Sequence, residues 1–75
     1  MLARFDGKKF KKIRKQKKRS QAWLAERADT SIRYIRDLEK GKKSNPSAAM
    51  VYSFSSALEV PMEMLMTVVE DELAI

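Results

Sequence analysis

The chain has 75 residues, 16 Lys and Arg, 10 Asp and Glu, and a net charge of +6, which suits one small domain near the lower size limit for independent folding. It contains no His and no Cys, which excludes a disulfide framework and removes the commonest proton shuttle, the thiol nucleophile and most zinc ligands. We therefore expect no enzyme, metal site or cofactor, and because no apolar run approaches about 18 residues we expect no membrane span and a cytoplasmic location.

The charges are divided unequally along the chain. All 16 Lys and Arg lie within residues 1–43 together with five acids, a net charge of +11, whereas residues 44–75 carry the other five acids and no base, a net charge of −5. A charge run is often only a solvated helix surface, but a basic half beside an acidic half is typical of a face that binds a polyanion.

Helical spacing begins near the N-terminus. Asp6 is a possible N-cap for a first helix, in which Phe10 and Ile13 point inward. Arg14 shares their face, so its stem should be buried and its guanidinium should need a partner. Ser20 is the N-cap expected for a second, short helix. The inward stripe of that helix consists of Leu24, Ala25 and Ala28.

A third helix is predicted to begin after Ser31 and to end at Gly41. Only residues 28–30 separate it from the second helix, and so short a turn makes the two helices cross steeply, as in a helix-turn-helix. Its inward side is formed by Ile35 and Leu38, with Ser31 and the edge residue Tyr34. Its opposite, outer line is formed by Arg33, Arg36 and Lys40.

The second half of the chain is also predicted to be helical. A cluster of Gly, Ser, Asn and Pro in residues 41–47 indicates a loop. Ser47 can then cap a fourth helix, and residues 61–69 are predicted as a fifth, with Pro61 in its first turn. The inward positions of the fourth helix are Val51, Phe54, Ala57 and Leu58. Since no β-type alternation is seen, we predict an all-α fold of five helices in one domain that spans residues 1–75.

The outer line of the third helix suits a DNA major groove, because the first residues of a recognition helix reach the base edges. Arg33 stands there and can bind guanine through two hydrogen bonds. Asp37, one turn later, can accept from cytosine N4 or hold Arg33 in place. Ile32 can touch a thymine methyl or belong to the core, because it shares i, i+3 spacing with Ile35 and Leu38.

Three segments, in order, resemble the Cro and phage-repressor type (Xre-like) helix-turn-helix family. They are "SQAWLAE" at the start of the second helix, "SIRYIRDLEKG" in the third and "NPSAAMVYSFSSALEVPMEML" after it. The resemblance covers about residues 10–66 and leaves 67–75 as an acidic tail or helix extension. It implies a compact five-helix lambda-repressor-like domain.

The resemblance also implies a role for individual residues. Base contacts are expected from Ile32, Arg33, Arg36 and Asp37. Phosphate contacts are expected from Gln21, Tyr34, Lys40, Lys42 and Lys43. A structural ion pair is expected between Arg14 and Glu39, which supplies the partner that the buried guanidinium requires.

The chain departs from the family pattern at four positions. Asp29 and Glu59 stand where the family often has Gly, and Thr30 stands where it has an apolar residue. Asp tolerates the left-handed conformation better than most residues, so the turn can form at some cost. Trp23 stands where most relatives have a polar residue. Its ring can be exposed or can pack within the domain, and we favour packing.

The sequence predicts a bacterial or phage-encoded regulator that binds double-stranded DNA and represses by occupying its operator, with activation through contact with polymerase as the alternative. We expect a homodimer on a palindromic operator, joined through the C-terminal helices, where apolar residues exceed what one helix buries; a Met-rich core edge is the alternative. The rival function is a protein-interaction module, either a DNA-binding antitoxin-like partner or a phage-encoded antagonist of a host protein. RNA binding is disfavoured because the aromatics do not form a stacking platform.

Overall fold

The computed structural model describes residues 2–69, and within them the chain forms four α-helices and a two-stranded sheet. The elements in chain order are β1 (Leu2–Phe5), α1 (Gly7–Gln16), α2 (Gln21–Arg27), α3 (Ile32–Lys40), α4 (Ala48–Leu58), a 3-10 helix (Met62–Leu65) and β2 (Met66–Val69). The first four predicted helices are confirmed, and α2 and α3 form the predicted helix-turn-helix.

Local capping explains where the α-helices begin and end. Each begins after a predicted N-cap whose side-chain oxygen accepts backbone N–H groups of the first turn: Asp6, Ser20, Ser31 and Ser47. Gly41 ends α3 in the left-handed conformation with φ 83°. Asp29 and Glu59 also have positive φ, 55° and 58°. The backbone therefore adopts the glycine-type conformation at both positions despite the side chains.

The predicted fifth helix is wrong, and the fold is not all-α. After Pro61, residues Met62–Leu65 make one short 3-10 helix, and Met66–Val69 form β2, which pairs antiparallel with β1 in the register Phe5↔Met66 to Leu2↔Val69. The β-branched side chains of residues 67–69 favour a strand once a partner is available. That partner lies at the opposite end of the chain. Residues 70–75, the remainder of the predicted tail or helix extension, lie outside the described residues.

A cluster of phenylalanines joins the sheet to the helices. The ring centroids of Phe5 and Phe10 lie 5.1 Å apart in an edge-to-face arrangement, and those of Phe10 and Phe54 lie 4.7 Å apart. Offset and edge-to-face pairs of this kind add to the stabilisation from burial. The fully buried side chains of the core are Phe10, Leu24, Ile35, Leu38, Phe54, Leu58 and Leu65. Every predicted inward residue of α1 and α2 is buried.

Asp6 ties the start of α1 to β2. One carboxylate oxygen accepts the backbone N–H groups of Lys8 and Lys9 at 3.0 and 3.1 Å, and the other accepts the Thr67 hydroxyl. The hydrogen bond from Thr67 lowers the pKa of Asp6 from its ordinary value of 3.8, and partial burial opposes this effect. Immediately after the cap, Gly7 lies so close to the carbonyl of Leu38 that a Cβ there would overlap the oxygen.

Candidate nucleic-acid interface

Helix α3 presents a cationic outer side. Ser31 accepts the N–H of Tyr34 at 3.0 Å and fixes the start of the helix. Arg33, Arg36 and Lys40 are exposed, and within residues 2–69 none of them lies in an ion pair. Three cations thus face solvent in a row, available to an external anion.

The structure decides between the two interpretations of Ile32. Its side chain is 41% exposed, whereas Ile35 and Leu38 are 0% and 1% exposed. The core interpretation of Ile32 is therefore wrong, and the residue stands on the surface at the first position of α3. Asp37 is half-buried, and in the described part of the chain its carboxylate forms no ion pair with Arg33.

A shallow cleft along α3 collects several of the predicted site residues. It is lined by Ser31, Arg33, Tyr34, Asp37 and Lys43. Lys43 reaches this cleft because its backbone N–H donates to the Asp37 carbonyl at 3.2 Å, which folds the loop back against the helix. Basic, acidic and phenolic groups are therefore within one short stretch of surface.

Two predicted phosphate-binding residues lie apart from that cleft. Lys40 lines a second cleft, together with Gly7, Lys8 and Gly41, where the end of α3 meets the start of α1. Lys42 is exposed, and its backbone N–H donates to the Asp37 carbonyl at 2.9 Å. Lys40 and Lys42 thus place exposed positive charge at the C-terminal end of α3, outside the first cleft.

A buried ion pair holds α3 against α1. Arg14 Nε donates to Glu39 Oε2 at 2.6 Å, and Arg14 Nη2 donates to Glu39 Oε1 at 3.0 Å. The two side chains are only 9% and 2% exposed. A third guanidinium nitrogen donates to the carbonyl of Arg19 at 2.8 Å. Charge-assisted paired bonds of this geometry fix orientation as well as adding energy, so they set the position of the outer line.

Gln21 belongs to the same network. Its amide Nε2 donates to Glu39 Oε1 at 3.0 Å, a hydrogen bond that the sequence did not predict. The amide group retains a second N–H and a carbonyl oxygen. Gln21 can therefore contact phosphate while Glu39 fixes its orientation at the start of α2.

For Trp23 the sequence left two alternatives, an exposed ring and a residue that packs within the domain. It is half-buried and packs against the core, which confirms the packing interpretation. The guanidinium carbons of Arg19 and Arg27 lie 4.4 and 4.9 Å from its ring centroid, within the range of cation–π attraction. The signal for this cluster was the i−4 and i+4 spacing of the two arginines around the tryptophan.

The described residues contain no group of three or more His, Cys, Asp or Glu side chains that could hold a metal ion. In the same part of the chain, no helix has the length and apolar character needed to cross a membrane.

Three solved structures have a fold similar to that of this chain. The restriction-modification controller protein C.AhdI from Aeromonas hydrophila has a TM-score of 0.74 and 25% identity, over 79% of this chain and 88% of that one. The biofilm master regulator SinR in complex with DNA has a TM-score of 0.76 and 32% identity, over 80% and 98%. The N-terminal DNA-binding domain of SinR from Bacillus subtilis has 0.73 and 29%, over 88% and 91%. No curated protein matches the chain.

The helix-turn-helix is also found by comparison with family models. The model described as "Helix-turn-helix domain" matches residues 7–71, which include α1 to α4 and the strand β2. The match therefore extends over most of the chain. It contains the whole first cleft along α3 and all of the second cleft except Arg4, Phe5 and Asp6. The chain belongs to the helix-turn-helix family, of the Xre-like type.

Proposed function

We propose that this protein is a sequence-specific double-stranded DNA-binding regulator that represses transcription by occupying its operator. The observation that carries the proposal is the exposed outer side of α3, where three cations have no ionic partner within residues 2–69. A surface helix normally carries acids that pair with its bases at i±4. An α-helix fits the DNA major groove, and the structure of the relative SinR is a complex with DNA.

Base reading is assigned to four residues of the first two turns of α3, of which Ile32, Arg33 and Arg36 are exposed and Asp37 is half-buried. Arg33 donates to guanine O6 and N7, and Ile32 contacts a thymine methyl, which its exposed position permits. Arg36 and Asp37 complete the groove-facing set, with Asp37 accepting from cytosine N4. Occupancy of the operator then blocks polymerase, in the cytoplasm of a bacterial or phage-infected cell.

Phosphate binding is assigned to residues around both ends of α3. This set comprises Gln21, Tyr34, Lys40, Lys42 and Lys43. These contacts supply affinity and register without sequence preference, because every base pair carries the same backbone. The buried pair of Arg14 and Glu39 takes no part in contact; it fixes the relation between α1 and α3 and orients the amide of Gln21.

We also propose that the protein binds a palindromic operator as a homodimer. The predicted contact through C-terminal helices is revised, because the last described elements are a 3-10 helix and a strand. Met64 and Val68 are 46% and 54% exposed there, and Met62 and Met66 are half-buried beside them. This apolar surface is the proposed dimer contact. Sedimentation should show a dimer at tens of micromolar; a monomer with single half-site footprints would contradict it.

The central experiment is selection of bound sequences from random DNA, followed by binding of two single variants. Arg33→Ala should cost about 1–3 kcal/mol on the selected operator and relax the preference at one base pair. Lys42→Ala should weaken binding to all sequences alike and lower the salt slope by about 1.

The two variants control for each other, since each removes one exposed cation near α3. The proposal fails if selection recovers no sequence preference. The groove assignment alone fails if Arg33→Ala lowers affinity without relaxing any base position, because the arginine would then contact only phosphate.

A further inference from the structure

Helix α1 carries a second cationic surface that the groove-binding role does not use. At about 100° per residue, its buried side is formed by Phe10, Ile13 and Arg14. The opposite side is a line at spacings i, i+3, i+4 and i+7, here called the lysine strip: Lys8, Lys11, Lys12 and Lys15. All four are exposed, and within residues 2–69 none of their ammonium groups forms an ion pair or a hydrogen bond.

Nothing in the described fold explains this strip. Residues 7–16 contain no acid, and the adjacent carboxylate of Asp6 is engaged as the N-cap and with Thr67. Like charges at i, i+3 and i, i+4 destabilise a helix. By contrast, Lys9 has a structural contact, since its Nζ donates to the Met66 carbonyl at 2.6 Å. The strip therefore carries uncompensated positive charge in the free protein, which a bound external anion would balance.

The strip is continuous with the outer side of α3. Gly7 packs directly against the carbonyl of Leu38, which places the first turn of α1 beside the last turn of α3. Lys8 and Lys40 consequently line the same cleft. The cationic line of α3 ends at Lys40, and the lysine strip continues from there along α1.

The dimensions of the strip match a nucleic-acid backbone. From Lys8 to Lys15 the rise along the helix is about 10 Å, at about 1.5 Å per residue. Duplex DNA carries one phosphate charge per about 1.7 Å of its axis over both strands, so this length of duplex carries about six charges, about three of them on each strand. The uniform charge and flexible stems of lysines suit phosphate contacts that carry no sequence information.

We propose that the lysine strip binds the sugar–phosphate backbone of the DNA that flanks the operator, drawing the flank from the end of α3 toward α1. This inference rests on the proposed function, because the operator sets the position of the flank. The buried faces of α1 and α3 meet through Arg14 and Glu39, so their outer faces diverge. The flank must therefore bend to reach Lys15, and part of the binding energy is used for that deformation.

The experiment compares two duplexes that contain the selected operator. The short one has about 20 base pairs, enough for two half-sites one helical turn apart, and the long one adds about 10 base pairs at each end. The slope of log K against log salt should be steeper on the long duplex by up to about 3.6 per protomer, at about 0.9 per neutralised phosphate. Between about 50 and 200 mM salt this is about a 100-fold additional loss of affinity.

The test variant replaces Lys8, Lys11, Lys12 and Lys15 by Gln, which has a similar helix propensity. It should bind the short duplex with the slope of the unmodified protein and lose the additional slope on the long duplex. A control variant replaces three exposed cations outside the cleft of Lys8 and Lys40, namely Lys17, Lys18 and Arg27, by Gln. It should retain the difference in slope between the long and short duplexes. Urea unfolding of both variants verifies that they are folded.

Three outcomes would overturn the inference. Equal slopes on the short and long duplexes of the unmodified protein mean that the flank is not bound. If the test variant loses the same amount of salt slope on both duplexes, the strip binds the operator itself. Capture of a second, separate duplex by protein bound to immobilised operator means that the strip bridges two molecules. A missing sequence preference on the short duplex, by contrast, refutes the proposed function.

Discussion

Replacing Glu39 by leucine leaves the guanidinium of Arg14 buried without an anion. In the described structure Glu39 accepts from Arg14 through both carboxylate oxygens, at 2.6 and 3.0 Å, and also accepts from Gln21 at 3.0 Å. Leucine fills a similar volume but accepts no hydrogen bond. Because the side chain of Arg14 is only 9% exposed, water can replace little of what the carboxylate supplied.

Removing one member of such a buried pair costs about 3–5 kcal/mol. A domain of 75 residues has a total stability of about 4–11 kcal/mol, at about 0.05–0.15 kcal/mol per residue. Glu39→Leu should therefore remove much of the stability of the fold. Since m is about 1 kcal/mol/M in urea for small proteins, the unfolding midpoint should fall by about 3–5 M. The fluorescence of Trp23, the single tryptophan, reports the transition.

The double variant Arg14→Met with Glu39→Leu is the control. Replacement of both charges by apolar side chains is often neutral or stabilising, so the double variant should be far more stable than Glu39→Leu alone. The coupling energy from the cycle isolates the pair. The reasoning is refuted if each single variant costs less than about 1 kcal/mol and the two effects add, because the guanidinium would then be adequately solvated.

Three further substitutions test the backbone and the cap. Glu59→Gly should raise the free energy of unfolding by about 1 kcal/mol, because φ at this position is 58° and glycine adopts that left-handed conformation without strain. An unchanged thermal unfolding midpoint would contradict the left-handed cap. Gly7→Ala should lower stability severely in the same assay, because its Cβ would overlap the Leu38 carbonyl oxygen. Asp6→Ala should cost about 1 kcal/mol at neutral pH. The folded-state pKa of Asp6 lies below 3.8, so its contribution is present above that pH and lost as the pH falls through the folded value; equal acid sensitivity in the variant would refute this.

Most of the helical fold could be predicted because its determinants are local. A Ser or Asp cap acts on N–H groups two or three residues later, and Gly41 ends α3 through its own φ of 83°. The strands could not be predicted in this way. Leu2–Phe5 and Met66–Val69 have four residues each and lie at opposite ends of the chain. Neither is long enough to show alternation, and pairing over such a sequence separation leaves no local signal.

The candidate site shows the same division between local and non-local information. Periodicity placed Arg33 and Arg36 on the outer side of α3 correctly. It could not place Ile32, because at about 100° per residue Ile32 lies about 60° from Ile35 around the helix, at the edge of the buried face. At such an edge position, burial depends on how the neighbouring elements pack, and their packing leaves Ile32 41% exposed.

Gln21 illustrates what the crossing of α2 and α3 adds to the interface. The family resemblance implies a phosphate contact for its amide, but only the packing of α2 against α3 brings that amide within 3.0 Å of Glu39. The same carboxylate receives Arg14 from α1, so one acid connects three helices at the surface proposed to face DNA. A rigid recognition helix loses little freedom on binding, and its side chains are held in the geometry that base reading requires. Under the proposed function, sequence choice by α3 thus depends on a buried pair that itself contacts no base.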